Sequence, residues 1–243
     1  MRWIELAGVL AMAAGAAGMQ QQSPPPAQTV PVPSVPAPVS PPQILPPKFL
    51  VVIDAAHGGA DIGARLSGGV PEKEITLGLA GRLRSTLRAR GIDVIMTRTA
   101  DANLAPENRA ELANHAQAAA CLTLHATATG SGVHLYTSSL MPAANGRFLP
   151  WETAQAVYVT QSMKLESEID SALAHAAIPV TLGRASVAPM DSMTCAEVAV
   201  EMAPVVAGHV TPAKAVTEVG YQKSVVDAIA AALEQWRNDW KAQ

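Results

Sequence analysis

Cysteine is nearly missing from this 243-residue chain: Cys121 and Cys195 are the only two, far from the spacing of a zinc knuckle or a redox pair. Thiolate metal chemistry is set aside, while one disulfide and two buried free thiols both stay compatible with the sequence. Aromatic residues make up 4% of the chain and the net charge is −3, with no Lys and Arg cluster interleaved with aromatics, so nucleic acid is excluded as a partner. No internal repeat is present. A confident membrane span is lacking too: the first 18 residues carry Arg2, a short apolar stretch and the small-residue pattern Ala14-Gly15-Ala16, which reads as a secretory signal peptide. Acidic residues are absent from 19–48, a stretch holding eleven of the nineteen prolines, which builds no core and is expected to run as an extended tether. The expected organisation is a leader over 1–18, a proline-rich disordered tether over 19–48 and one folded domain over 49–243. That places the domain outside the cytoplasm, in the periplasm or cell envelope, tethered if the leader is retained.

What the chain does have is alternation. "FLVVI" is a continuous apolar run, expected as a strand buried on both faces. Ile75, Leu79, Ala80, Leu83 and Leu87 follow at helical spacing and Gly91 marks the stop. Residues 92–97 read as strand, Pro106 opens a second helix, and "ACLTLH" (120–125) returns to strand. Further on, "GVHLYT" after "TGSG" reads as a hairpin strand, 151–176 as one long helix, 196–202 as a strand, and "SVVDAIAAALEQWRNDW" as a closing helix with Val226, Ile229, Leu233 and Trp240 inward. The spacing predicts an α/β single domain with a mixed, largely parallel sheet flanked by helices on both faces. Residues 203–220 are left unassigned, and 137–176 is where an occluding segment is expected.

In a parallel sheet, ligands gather beyond the carboxyl ends of the strands. His57 lies four residues past Ile53, with Gly58 and Gly59 behind it to let the backbone bend, and His125 closes another strand. If the two strands are neighbours, both imidazoles enter one crevice, and Glu72, in the loop "GGVPEKE", supplies the third ligand of a His₂Glu zinc site. A hydrolase of this kind also needs a base, for which Glu201 is favoured over Glu197 because it is nearer the carboxyl end of "AEVAVEM". Arg98 and Arg109 read as structural, pairing with Asp101 or Asp54; Asp54 reads as a carboxylate behind a zinc histidine, and His134 as an exposed strand residue.

Residues 50–136 resemble the zinc-dependent N-acetylmuramoyl-L-alanine amidases of the amidase family 3 cell-wall hydrolases. The resemblance rests on Asp54, His57-Gly58-Gly59, Asp61, Gly63-Ala64, Glu72-Lys73, Gly91, Thr97-Arg98, Asp101, Arg109, Ala113-Asn114, His125, Gly132 and Tyr136, in that order, and more loosely on "VAVEM" downstream. It implies zinc held by His57, Glu72 and His125, Glu201 as the general base, and peptidoglycan as substrate, cut between N-acetylmuramic acid and the first L-alanine of the stem peptide. It also leaves room for a protein activator acting on a monomeric enzyme. The chain departs from the family at Ala55-Ala56, where the family has Pro-Gly, at Thr127, where it has Asn, and in "MAPVVAGH", which lacks the usual Gly-Phe. These departures keep open a wall-binding protein that retains the metal site without turnover.

Overall fold

The computed structural model describes residues 48–146, 148–208 and 213–240, all within one unit of the chain. The leader over 1–18 and the tether up to residue 47 lie outside the described residues, as does His209. The folded part begins with β1 (Leu50–Ala55), whose six residues are nearly all buried, as a strand covered on both faces requires. α1 (Glu72–Ala89) buries Thr76, Leu79, Ala80, Leu83 and Leu87 on one stripe. Next come β2 (Asp93–Met96), α2 (Pro106–His115, with proline in its first turn), β3 (Ala120–Ala126), β4 (Val133–Ser138), α3 (Val159–His175), β5 (Val180–Ala185), β6 (Ala196–Met202) and α4 (Val219–Asp239).

The six strands lie in the order β2-β1-β3-β6-β4-β5. β1 pairs in parallel with β2 and β3, β3 with β6, and β4 with β5; only β4 against β6 is antiparallel. The sheet is mixed and largely parallel, as the alternation of elements implies. One face carries the main core, where Val51, Ile53, Leu122, Val198 and Val200 meet α1, α3 and α4. The other face is covered more thinly, by Ala110 and Ala113 of α2 together with Met193.

Three elements differ from the sequence reading. β4 follows a glycine-rich turn but does not form a hairpin with β3; β6 fills the space between them, a long-range insertion that local turn chemistry does not encode. The expected helix over 151–176 is divided into a 3-10 segment at Trp151–Val157 and α3. α3 packs on β4, β6 and α4, on the face opposite the histidines, so this part of the segment expected to occlude the site builds the core instead. β5 was not expected at all: it is an edge strand with Leu182 about half exposed, so it shows neither a buried run nor clean alternation.

Cys121, on β3, and Cys195, just ahead of β6, are joined in a disulfide buried against α2, which resolves the choice the sequence left open. It closes a loop with a sequence separation of 74 residues. A crosslink over such a loop is expected to contribute about 4 kcal/mol through the unfolded state. Denaturant unfolding with and without a reductant is expected to show a loss of that order; an unchanged midpoint after verified reduction would contradict it.

Candidate metal centre and cleft

β1 and β3 are neighbours, so their carboxyl ends deliver His57 and His125 to one edge of the sheet, with ring centroids 5.3 Å apart. Glu72, the first residue of α1, is 4% exposed and reaches between them. Its Oε2 lies 3.1 Å from His57 Nε2 and its Oε1 lies 2.9 Å from His125 Nδ1. The backbone N–H groups of Ala64 and Ala126 donate to the same two oxygens at 2.8 and 3.0 Å. Burial alone would raise the pKa of Glu72; the bonds from His125, His57 and the two amides outweigh it and hold the carboxyl far below the usual carboxylate range. The bond to Glu72 holds the His57 pKa above that of a free imidazole, against the opposing effect of burial.

The loop around His57 is held in an uncommon conformation. His57 has φ +63°, a left-handed value that a non-glycine residue adopts only when its surroundings enforce it. Arg109 supplies that enforcement by donating to Ala55 O at 2.8 Å and His57 O at 2.9 Å, while Arg98 donates to Ala55 O at 2.8 Å and Ala56 O at 3.1 Å. Gly63, at φ +63°, leaves room for the centre: a Cβ there would stand 2.6 Å from both Glu72 Oε2 and His57 Cδ2. Lys73 ties the loop down from the other side, donating to Gly59 O and Asp101 Oδ2, each at 2.7 Å.

Both arginines are structural, as their sequence context implies, but their partners differ in part. Arg109 pairs with Asp54 at 2.9 Å, whereas Arg98 bonds carbonyl oxygens and leaves Asp101 to Lys73. Asp54 accepts from Thr97 at 2.5 Å and from Arg109, and it meets neither histidine. The carboxylate behind a histidine is Asp61, whose Oδ2 lies 2.9 Å from His57 Nδ1. Its appearance between His57 and Glu72 in the quoted motif was the available signal. That bond lowers the Asp61 pKa and, with Nδ1 turned to Asp61, makes Nε2 the ring nitrogen that faces Glu72.

Two imidazole nitrogens and one carboxylate oxygen, all within 4.8 Å of one another, fit the donor set of a borderline divalent ion such as zinc. His125 Nε2, the ring nitrogen that does not face Glu72 Oε1, is buried without a protein partner. Cys121, Cys195 and Glu197 also lie within that spacing, but the disulfide removes both thiolates as ligands. The cleft at His57 and His125 encloses about 270 Å³ between Asn103, Leu104, Pro106, Ala188 and Pro189. A larger hollow of about 690 Å³ between α1 and α4 is lined by Leu77, Gly78, Arg82, Val219 and Lys223; among the described residues its lining carries no metal-ligating cluster, so the smaller cleft is the candidate site.

The two candidate bases sit in different environments. Glu201 faces His125 across β3 and β6 in register, on the same face of the sheet, with its side chain 30% exposed and its Oε2 2.7 Å from His134 Nδ1. His134, read from sequence as a plain exposed strand residue, is 14% exposed at its side chain. Glu197 lies four residues earlier on β6 and is fully buried; Thr123 Oγ1 donates to its Oε1 at 2.7 Å and its Oε2 has no partner. Burial pushes its pKa up to about 8, so the carboxyl is neutral near neutral pH.

A raised folded-state pKa means the folded chain binds this proton more tightly than the unfolded chain. The associated stability is present below the ordinary carboxyl range and is lost as pH rises toward about 8. Glu197→Gln, which carries no proton to lose, is expected to match the parent near pH 4 and to exceed it by a few kcal/mol at pH 9. Thermal or denaturant unfolding across that range checks it; parallel pH profiles for the two proteins would contradict it.

Comparison with known proteins places these features in a family. A family model described as N-acetylmuramoyl-L-alanine amidase matches residues 51–235. The germination-specific N-acetylmuramoyl-L-alanine amidase of Bacillus subtilis is 36% identical over 96 residues, which are 34% of this chain and 40% of that protein. The N-acetylmuramoyl-L-alanine amidase AmiA of Salmonella typhimurium is 39% identical over 79 residues, 32% of this chain and 27% of that one. The chain thus aligns with less than half the length of these curated relatives. Among solved structures, the N-acetylmuramyl-L-alanine amidase Ami1 of Mycobacterium smegmatis superposes with a TM-score of 0.62 at 20% identity, covering 79% of this chain and 98% of that one, which is agreement in fold.

Proposed function

The chain belongs to the N-acetylmuramoyl-L-alanine amidase family, and from that membership we propose that it is a zinc hydrolase cleaving the amide between N-acetylmuramic acid and the first L-alanine of peptidoglycan stem peptides. The single observation that carries the proposal is the convergence of His57 Nε2 and His125 Nδ1 on the Glu72 carboxylate at the ends of adjacent strands. His57, Glu72 and His125 would hold the metal, which when bound supplies a Lewis acid and lowers the pKa of water toward about 7.

The remaining chemistry belongs to the protein. Asp61 fixes the tautomer of His57, and Arg98 and Arg109 hold the strained loop that aims it. Glu201, on the same face as His125 and partly open to solvent, takes a proton from the attacking water as the carbon–oxygen bond forms. It then returns that proton to the departing nitrogen as the carbon–nitrogen bond breaks. Glu197 is unsuited to the role: it is sealed from the cleft and already protonated near neutral pH.

An envelope location agrees with both the substrate and the buried disulfide, since such bonds persist in oxidising compartments. Among the described residues, no helix is long and apolar enough to cross a membrane. The enzyme would act there in wall remodelling or daughter-cell separation.

Zinc-loaded protein incubated with purified sacculi tests the reading. Soluble peptides beginning with a free L-alanine amine, and glycan whose lactyl group ends in a newly freed carboxylate, are the expected products. Cleavage between two amino acids would replace the amidase reading with a peptidase. Binding to sacculi without release would indicate a wall-binding protein that keeps the site but not the turnover.

A further inference from the structure

Three strands set a row of polar side chains across the cleft face of the sheet: His125 on β3, Glu201 on β6 and His134 on β4, joined by the register of each strand pair. The third member has no role in the chemistry described so far. Its Nδ1 lies 2.7 Å from Glu201 Oε2, and the two residues are directly opposed in the antiparallel pair. Among the described residues, Glu201 has no other side-chain hydrogen bond, so its second oxygen is left for another partner.

The imidazole is built into place. Gly130, at φ +90°, passes so close that a Cβ there would stand 2.3 Å from His134 Cε1 and 2.6 Å from Nε2. The Tyr136 ring meets the imidazole edge-on with centroids 6.5 Å apart. Tyr136 is itself crowded by Gly183 of β5, where a Cβ would stand 2.9 Å from its ring atoms. A side chain so confined on several sides cannot follow a mobile glutamate; it sets where the glutamate rests.

We propose that His134 is a positioning residue that anchors one oxygen of Glu201 through Nδ1–H, so that the other oxygen faces the attacking water. The proposal rests on the amidase reading. Physically, a free glutamate samples several rotamers, and misplacement of a reacting group by about 1 Å costs on the order of 10²-fold in rate. One directed hydrogen bond from a fixed ring suppresses that freedom without adding chemistry of its own.

The test compares parent, His134→Ala and His134→Asn proteins for peptide release from sacculi, zinc content and thermal unfolding. Asparagine is included because its side-chain amide places a donor near the position of Nδ1. His134→Ala is expected to lower kcat by about 10- to 100-fold, with KM and zinc content unchanged, and His134→Asn to recover most of the loss. An independent readout is the imidazole ¹⁵N signal of His134 in the metal-free protein, which is expected to report an Nδ1–H tautomer and to shift in Glu201→Gln. If the parent releases peptide and His134→Ala does so within twofold of it, the positioning role is wrong and the amidase reading stands. If the parent releases none, the amidase reading fails and takes the positioning role with it. A change confined to KM, or no rescue by asparagine in a folded, zinc-loaded protein, would also overturn the role.

Discussion

Glu201→Gln is expected to keep its zinc and its fold while turning over peptidoglycan about 10² to 10⁴ times more slowly, the usual contribution of a positioned acid–base group. That span corresponds to about 3–5 kcal/mol of transition-state stabilisation. The substitution preserves side-chain volume and keeps an oxygen to accept from His134 Nδ1, so the partly exposed site loses little packing. What it removes is the ability to take and return a proton. The measurement is steady-state release of stem peptides beside metal analysis on the same samples. Near-parental activity in a zinc-loaded variant would remove Glu201 from the mechanism, and low activity with lost zinc would show that the residue acts on the metal centre instead.

Glu72→Gln is expected to be more damaging, because on the proposed reading this residue serves both metal and fold. Its two oxygens accept from Ala64 N–H and Ala126 N–H while facing His57 and His125. A glutamine offers only one accepting oxygen, so one buried backbone donor is set against an amide NH₂ that also donates. Leaving a buried donor unsatisfied costs about 1–3 kcal/mol before any metal is considered. The variant is expected to purify with only trace zinc, to release no peptide, and to unfold below the metal-free parent. Since the parent carboxyl is held charged by these donors, its share of stability is present above the ordinary carboxyl range and is lost as pH falls well below it. Stability curves of parent and variant, both metal-free, should therefore converge in strong acid. Unchanged zinc affinity in Glu72→Gln would exclude Glu72 as a ligand.

The first half of the fold and the candidate metal residues were legible because their signals are local. Continuous apolar runs mark β1 and β3, a helical stripe marks α1, and the histidines and Glu72 stand at the strand and loop ends where a parallel sheet gathers ligands. The second half depends on pairings that no local pattern carries. β6 enters between β3 and β4 from far along the chain, and β5 is an exposed edge whose residues need bury neither face. The same limit applies around the site. His134 opposes Glu201 only through the antiparallel register, so on its own strand it looks like an ordinary polar position. Asp54 and Asp61 both precede Glu72 in the motif; the loop geometry gives Asp54 to Arg109 and Asp61 to His57. Likewise, a sequence separation of 74 residues conceals that Cys121 and Cys195 end up side by side.

The most direct measurement is zinc content together with stem-peptide release, made on the parent and on His57→Ala. The account predicts about one zinc per chain and free peptides beginning with L-alanine for the parent, with both lost in the variant. A parent that binds no zinc, or a variant that keeps both zinc and release, would contradict it.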